Sequence, residues 1–121
     1  MEIKWKKGRK IFGIGEKSNC AYILLSGEVE IKSKNNNKVG IIGKDEIFGE
    51  QSCLLGTNRS VHAFASKDSV VFKIPKENLL DEYKKTPVII QSILRTNYIR
   101  LQELNLNTTV DIKQTLNEIS D

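Results

Sequence analysis

The feature that most constrains the fold is a series of short β-strand patterns between residues 3 and 74. The segment Glu28–Lys32 alternates strictly, with Val29 and Ile31 as its apolar members, and such alternation is typical of a half-buried strand. Glycines and the asparagine run Asn35–Asn37 separate the segments, and both residue types favour turns because they tolerate positive φ angles. Several short strands at this spacing indicate a β-sandwich or a β-barrel.

Helical patterns follow the strand patterns. Residues 76–85 carry apolar side chains at helical spacing directly after Pro75, which predicts a helix that begins there. A second, longer helix is predicted over residues 87–106, with Thr86 as its N-terminal cap. Its apolar stripe consists of Ile90, Ile93, Leu94, Leu101 and Leu104. Residues 107–121 are predicted to be a short tail or one further helix.

The length of 121 residues is enough for one domain that builds its core without disulfides or metals. Hydrophobic residues make up 39% and charged residues 28%, which is the ordinary balance of a soluble domain. No apolar run is long enough to span a membrane, and we expect a cytoplasmic protein with Cys20 and Cys53 as reduced thiols. The domain is predicted to comprise residues 1–106, with the β part over 3–74.

The formal charge of +4 comes mostly from scattered lysines, which are densest near the N-terminus. Basic residues alternate there with Ile3 and Trp5, a pattern that indicates the solvent-facing side of an edge strand. The alternative is a nucleic-acid patch. The basic residues near the N-terminus are Lys4, Lys6, Lys7, Arg9 and Lys10.

The stretch from Ile47 to Ser60 carries the most chemistry. Gly49 precedes a short apolar segment, residues 51–55, which is long enough for about one helical turn. Free backbone N–H groups at such a helix start favour an anion, and Arg59 could close over the same anion with its fork of donors.

Glu50 lies beside this predicted anion site, where a carboxylate would repel the anion. Its partner should therefore be a neutral group that donates a hydrogen bond, and a sugar hydroxyl meets this requirement. An anion next to a hydroxyl suggests a nucleotide, with its phosphate at Arg59 and its ribose at Glu50.

The sequence Phe48-Gly49-Glu50, followed at the usual spacing by Arg59-Ser60, resembles the phosphate-binding cassette of the cyclic nucleotide-binding domain family. Asn58 replaces a proline that is common in that family, and Val61 replaces an alanine. The resemblance implies a mostly β protein with C-terminal helices, built as a β-roll or jelly roll of about eight short strands.

The resemblance also implies a ligand, cyclic AMP or cyclic GMP, and no cofactor or metal. Glu50 would hold the ribose 2′-hydroxyl, while Arg59, Ser60 and the N–H groups of Gly49 and Glu50 would hold the cyclic phosphate. The predicted binding residues are Ile31, Val39, Phe48, Gly49, Glu50, Gln51, Arg59, Ser60 and Val61.

The leading hypothesis is a regulatory module that binds a cyclic purine nucleotide and signals through its C-terminal helices, with homodimer contacts through helix 87–106. The alternative is a ligand-free interaction or dimerisation module that retains the fold. A DNA-binding regulator is disfavoured because no recognition helix follows the domain, so we expect no sequence-specific DNA binding. An enzyme is least favoured, because His62 is the only histidine and no paired carboxylate accompanies it.

Overall fold

A computed structural model of the chain describes residues 1–106, which form eight β-strands and three α-helices. The strands are β1 (Glu2–Trp5), β2 (Lys10–Phe12), β3 (Cys20–Ser26), β4 (Val29–Lys32), β5 (Lys38–Ile42), β6 (Ile47–Phe48), β7 (His62–Ala65) and β8 (Ser69–Pro75). The helices are α1 (Glu50–Leu55), α2 (Lys76–Lys85) and α3 (Val88–Leu106). The tail or helix predicted over 107–121 lies outside the described residues.

The strands form two four-stranded antiparallel sheets, in the orders β1-β8-β3-β6 and β2-β7-β4-β5. Strand β1 lies at the edge of its sheet, with Trp5 buried and Lys4 exposed, as the alternation of basic and apolar residues predicts. The prediction of a mostly β fold with about eight strands and C-terminal helices is confirmed.

The core lies between the two sheets because each strand turns its apolar alternate residues toward the other sheet. Leu24, Val29 and Val71 are fully buried, and each such side chain stabilises the fold by about 1.5–3 kcal/mol. Tyr22 lies between two other aromatic residues, with ring centroids 5.1 Å from Trp5 and 5.3 Å from Phe48. The aromatic cluster leads directly to the segment that follows β6.

The hairpin between β4 and β5 turns at Asn36, which adopts a φ of 63°, as expected for asparagine at a hairpin tip. Ile31 pairs with Gly40 and Lys32 with Lys38, so a bulge leaves Val39 without a cross-strand partner. Val39 is 48% exposed.

The end of α2 corrects one detail of the sequence analysis. The Thr86 hydroxyl donates to the carbonyl of Glu82 in the last turn of α2, so it does not cap α3. Instead the Pro87 carbonyl accepts the N–H groups of Ile90 and Gln91 and begins α3. Proline suits this position because it has no N–H to leave unpaired.

Helix α3 buries only part of its apolar surface. Leu94 is half-buried against the rest of the domain, whereas Ile93 is 52% exposed and Leu101 is 47% exposed. Val88 and Ile89 add to this exposed apolar surface at the start of the helix. The predicted stripe is therefore divided between a packed part and a part that faces solvent.

Candidate functional site

A cavity of about 140 Å³ lies beside α1. Most of its wall comes from the segment that the sequence singles out, namely the end of β6, the first turn of α1 and the three residues from Arg59. The rest of the wall comes from β2, β4 and β5. The lining residues are Phe12, Ile31, Ile42, Ile47, Phe48, Gly49, Glu50, Gln51, Ser52, Arg59, Ser60 and Val61.

Gly49 fixes the geometry at the start of α1. It has a φ of 79°, in the left-handed region that favours glycine. A Cβ atom at this position would lie 2.9 Å from Nη1 of Arg59 and 3.3 Å from the Phe12 ring. The backbone therefore comes close to the Arg59 guanidinium only because residue 49 has no side chain.

Arg59 is only 5% exposed, and its guanidinium is held by main-chain and side-chain acceptors. Nη1 donates to the Gly49 carbonyl at 2.6 Å and to Oγ of Ser52 at 3.2 Å. Nη2 donates to the Cys20 carbonyl at 2.6 Å. The guanidinium carbon lies 4.1 Å from the centroid of the Phe12 ring, a cation–π contact.

The third guanidinium nitrogen, Nε of Arg59, is buried and has no hydrogen-bond partner among the described residues. An unpaired buried donor costs about 1–3 kcal/mol, so the position is unfavourable unless an acceptor enters the cavity. Nη1 uses both of its N–H groups and Nη2 one of its two, so the Nε–H group and the second N–H of Nη2 remain for an acceptor that enters the cavity.

Glu50 lines the same cavity, and its Oε2 atom is also buried without a partner. Burial raises the pKa of Glu50 to about 7, against smaller opposing effects of a backbone hydrogen bond and of the Arg59 charge. No ion pair joins the Glu50 and Arg59 side chains in the described part of the chain. The cavity therefore presents an unpaired acceptor and an unpaired cationic donor as separate contacts.

The raised pKa of Glu50 predicts that stability falls as the pH rises from 4.5, the ordinary carboxyl value, to about 7. In this window the folded chain binds more protons than the unfolded chain, so the free energy of unfolding decreases with pH, by at most about 1.4 kcal/mol per unit. Urea unfolding between pH 5 and 8 measures this, and Glu50→Gln should flatten the profile.

His62 acts in the opposite direction because burial lowers its pKa. The informative quantity is therefore the difference between the Glu50→Gln profile and the unsubstituted one. Glu2→Gln, at an exposed position on β1, is the matched control and should leave the profile unchanged. A Glu50→Gln profile parallel to the unsubstituted one would contradict the assignment.

The structure brings eight of the nine predicted binding residues to the cavity and places Val39 elsewhere. The bulge in β4–β5 shifts the register by one residue, which moves a side chain to the opposite face of the sheet. Ile42, rather than Val39, is the residue of β5 that lines the cavity.

Three further lining residues were absent from the sequence prediction: Phe12, Ile47 and Ser52. Ser52 and Ile47 could have been found, because they lie within the stretch from residue 47 to 60. Phe12 carries no such signal, since only the pairing of β2 with β7 brings it under Arg59.

A second cavity, of about 270 Å³, lies behind Glu50, between α1, α2 and α3. Its wall includes Leu54, Leu79, Leu94 and Tyr98, and it shares Ile47 and Glu50 with the first cavity. Burial raises the pKa of Tyr98 to about 12, and the nearby Glu50 charge adds to this effect. Glu50 thus links the first cavity electrostatically to α3.

The described residues contain no cluster of metal-ligating side chains. Within residues 1–106, no helix has the length and apolar character needed to cross a membrane.

Comparison with known proteins identifies the family. The family model described as "Cyclic nucleotide-binding domain" matches residues 2–86, which contain all eight described strands with α1 and α2. The chain is 26% identical over 106 residues to the cyclic AMP receptor protein of Thermus thermophilus, a match that covers 84% of this chain and 49% of that protein. It is 29% identical over 98 residues to patatin-like phospholipase domain-containing protein 7 of Rattus norvegicus, covering 78% of this chain and 7% of that one.

Two solved structures also match this fold. The cGMP-bound EAL enzyme Bd1971 matches with a TM-score of 0.79 at 27% identity, over 99% of this chain and 31% of that chain. Its cAMP-bound form matches with a TM-score of 0.78 at 28% identity, over 85% and 29%. The family match over residues 2–86, the two-sheet fold and the solved relatives agree, and the chain therefore belongs to the cyclic nucleotide-binding domain family.

Proposed function

We propose that this chain is a regulatory module that binds a purine 3′,5′-cyclic mononucleotide in the cavity beside α1. The observation that carries the proposal is the pair of buried atoms without partners, Nε of Arg59 and Oε2 of Glu50, on the wall of one cavity. A ligand that places an anionic oxygen near a hydroxyl group would satisfy both atoms at once.

Arg59 would hold the cyclic phosphate through its Nε edge. A charge-assisted hydrogen bond of this kind is about twice as strong as a neutral one, and more so in a site from which water is excluded. Ser60 and the backbone N–H groups of Gly49 and Glu50 would complete the phosphate contacts. The phosphate carries one negative charge, which matches the single buried cation of the described cavity wall.

Glu50 would accept a hydrogen bond from the ribose 2′-hydroxyl through Oε2. The ionised carboxylate is the better acceptor, so ligand binding should draw Glu50 toward its ionised form. Gln51 adds a further buried donor, Nε2, that has no partner in the described part of the chain. Ile31, Ile42 and Val61 would supply apolar surface for the sugar and base.

Signalling would pass through the helices. Helix α1 contacts both α2 and α3, and Glu50 lies between the ligand cavity and the cavity that these helices enclose. A ligand that reorients Glu50 would change the surroundings of Tyr98 on α3. The exposed apolar part of α3, including Ile89 and Ile93, would then serve as the contact with a second copy of the chain.

One observation favours a second candidate, a ligand-free interaction module. Arg59 already has a structural use, because it donates to the Gly49 and Cys20 carbonyls and stacks on Phe12. A chain that had lost its ligand could keep Arg59 for these contacts alone. The buried, unpaired Oε2 of Glu50 has no comparable structural use and favours the first candidate.

Isothermal titration calorimetry with cyclic AMP and cyclic GMP tests the proposal. We expect saturable binding of both, with cyclic AMP the tighter ligand, because Arg59-Ser60 resembles the pairing in the cyclic AMP receptor protein type. Tighter binding of cyclic GMP would contradict that preference. No heat and no stabilisation against unfolding with either nucleotide would favour the ligand-free module.

A further inference from the structure

A buried chain of hydrogen bonds leads from Arg59 through Ser52, which lines the cavity, to Ser18 and Cys53, which do not. Oγ of Ser52 accepts from Nη1 of Arg59 at 3.2 Å and donates to Oγ of Ser18 at 2.7 Å. Oγ of Ser18 lies 3.0 Å from Sγ of Cys53, which in turn lies 3.8 Å from the Ser18 carbonyl. Ser18, Ser52 and Cys53 are 6%, 7% and 1% exposed.

The proton directions at the start of this chain follow from what Arg59 and Ser52 can donate. Arg59 can only donate, so Ser52 must accept from it and direct its own O–H toward Ser18. The Ser18 O–H is then free to point at Sγ of Cys53, whose S–H points at the Ser18 carbonyl. Ser52 consequently turns a lone pair toward the guanidinium.

Ser52 supplies a third acceptor that lies apart from the two backbone carbonyls. The Gly49 and Cys20 carbonyls hold Nη1 and Nη2 and so define one axis of the planar guanidinium. Rotation about that axis would swing Nε of Arg59 relative to the cavity. Stacking on Phe12 restrains this rotation weakly because a cation–π contact has little directionality, whereas a hydrogen bond weakens steeply with angle.

We propose that Ser52, aligned by the Ser18–Cys53 pair, is a positioning residue that sets the rotation of the Arg59 guanidinium and so aims its Nε edge at the ligand phosphate. The inference rests on the proposed function for its ligand, but the orientation of Arg59 can be measured in the ligand-free chain. Ser18 and Cys53 lie outside the cavity wall, so neither of them can contact a ligand in the cavity.

The first experiment uses no ligand. In the ¹⁵N-labelled chain, the Nε–H of Arg59 should give a slowly exchanging NMR signal, because the guanidinium is buried and held. We expect Ser52→Ala and Ser18→Ala to speed this exchange by about threefold or more, since each removes a link of the chain. Ser52→Thr keeps the hydroxyl and should restore the slow exchange. Unchanged exchange in both alanine variants overturns the proposal.

The second experiment measures affinity for the two diastereomeric phosphorothioate analogues of cyclic AMP, which differ in which exocyclic oxygen is replaced by sulfur. A fixed Nε edge distinguishes the two, so the ratio of their affinities reports orientation. We expect Ser52→Ala to reduce the ratio by about threefold or more. Ser69→Ala is the matched control, a buried serine whose hydrogen bonds lie around Glu28, and should leave the ratio unchanged.

The positioning role of Ser52 and the binding of a cyclic nucleotide can fail independently of each other. A ratio unchanged in Ser52→Ala, despite faster Nε–H exchange, shows that Ser52 is merely structural and overturns the positioning role. If the unsubstituted chain binds neither analogue nor cyclic AMP, the proposed function fails, and the exchange measurement alone then decides whether Ser52 orients Arg59.

Discussion

Replacing Arg59 is expected to have the largest effect on nucleotide binding. Each charge-assisted contact that it would make to the phosphate is worth about 1.5–3 kcal/mol, so Arg59→Lys should bind at least about tenfold more weakly than the unsubstituted chain. Lysine keeps the charge but cannot reproduce the planar fork. Arg59→Ala should lose about a hundredfold or more.

The structure adds a second expected effect of these substitutions. Arg59→Ala leaves the Gly49 and Cys20 carbonyls without their donor, at about 1–3 kcal/mol for each buried group. Such a loss is a large part of the stability of a small domain. Urea unfolding must therefore precede the titration, and Arg59→Lys, which retains a donor, is the variant on which the conclusion depends.

Calorimetry with cyclic AMP measures the affinity of each folded variant. Arg9→Ala removes the same charge at an exposed position outside the described cavity wall, and its affinity should stay within about twofold of the unsubstituted chain because exposed charges are screened. A folded Arg59→Lys chain with unchanged affinity would show that the Arg59 guanidinium does not contact the ligand.

Glu50 is expected to have the next largest effect, and one that depends on the ligand. Glu50→Ala should weaken cyclic AMP binding by about tenfold or more, since a hydrogen bond to a charged group is worth about 1.5–3 kcal/mol. The same substitution should have little effect on 2′-deoxy cyclic AMP, because that ligand lacks the hydroxyl that Glu50 would hold. The four affinities form a cycle whose coupling free energy isolates this one contact.

Gln51→Ala provides the control for this cycle. Gln51 lines the same cavity and carries a buried donor, but Glu50 is the residue that is proposed to hold the 2′-hydroxyl. We therefore expect Gln51→Ala to weaken both nucleotides equally. Equal losses with Glu50→Ala would show that Glu50 does not contact the 2′-hydroxyl.

The local parts of this molecule could be predicted from sequence because their determinants lie close together in the chain. Gly49 and the apolar turn after it indicate a tight helix start, and the structure has both. The alternation of Val29 and Ile31 predicts β4 for the same reason. An alternating strand can be recognised from its own residues, without knowledge of its partner strand.

Features that depend on pairing could not be predicted in this way. The bulge opposite Lys32 turns Val39 to solvent. The sequence of β5 alone does not determine the register in which β5 pairs with β4. Thr86 precedes Pro87 as a cap would, yet its hydroxyl finds the Glu82 carbonyl one turn earlier. Ser18 lies far from Ser52 in sequence, and only the fold reveals their hydrogen bond.

The order of the strands has a consequence for how the chain reaches this structure. Glu2 lies opposite Phe72 and Lys10 opposite Phe64, so the first two strands pair only with the last two. Closing such long loops costs conformational entropy before the contacts compensate for it, and topologies of this kind fold slowly. During synthesis, Trp5 remains without its β8 neighbours until nearly the whole β part has left the ribosome. Phe12 of β2 belongs to the wall of the cavity beside α1, and we expect that wall to be completed only after its partner strand β7 has been synthesised. Until the early strands find their partners, their apolar side chains are open to aggregation.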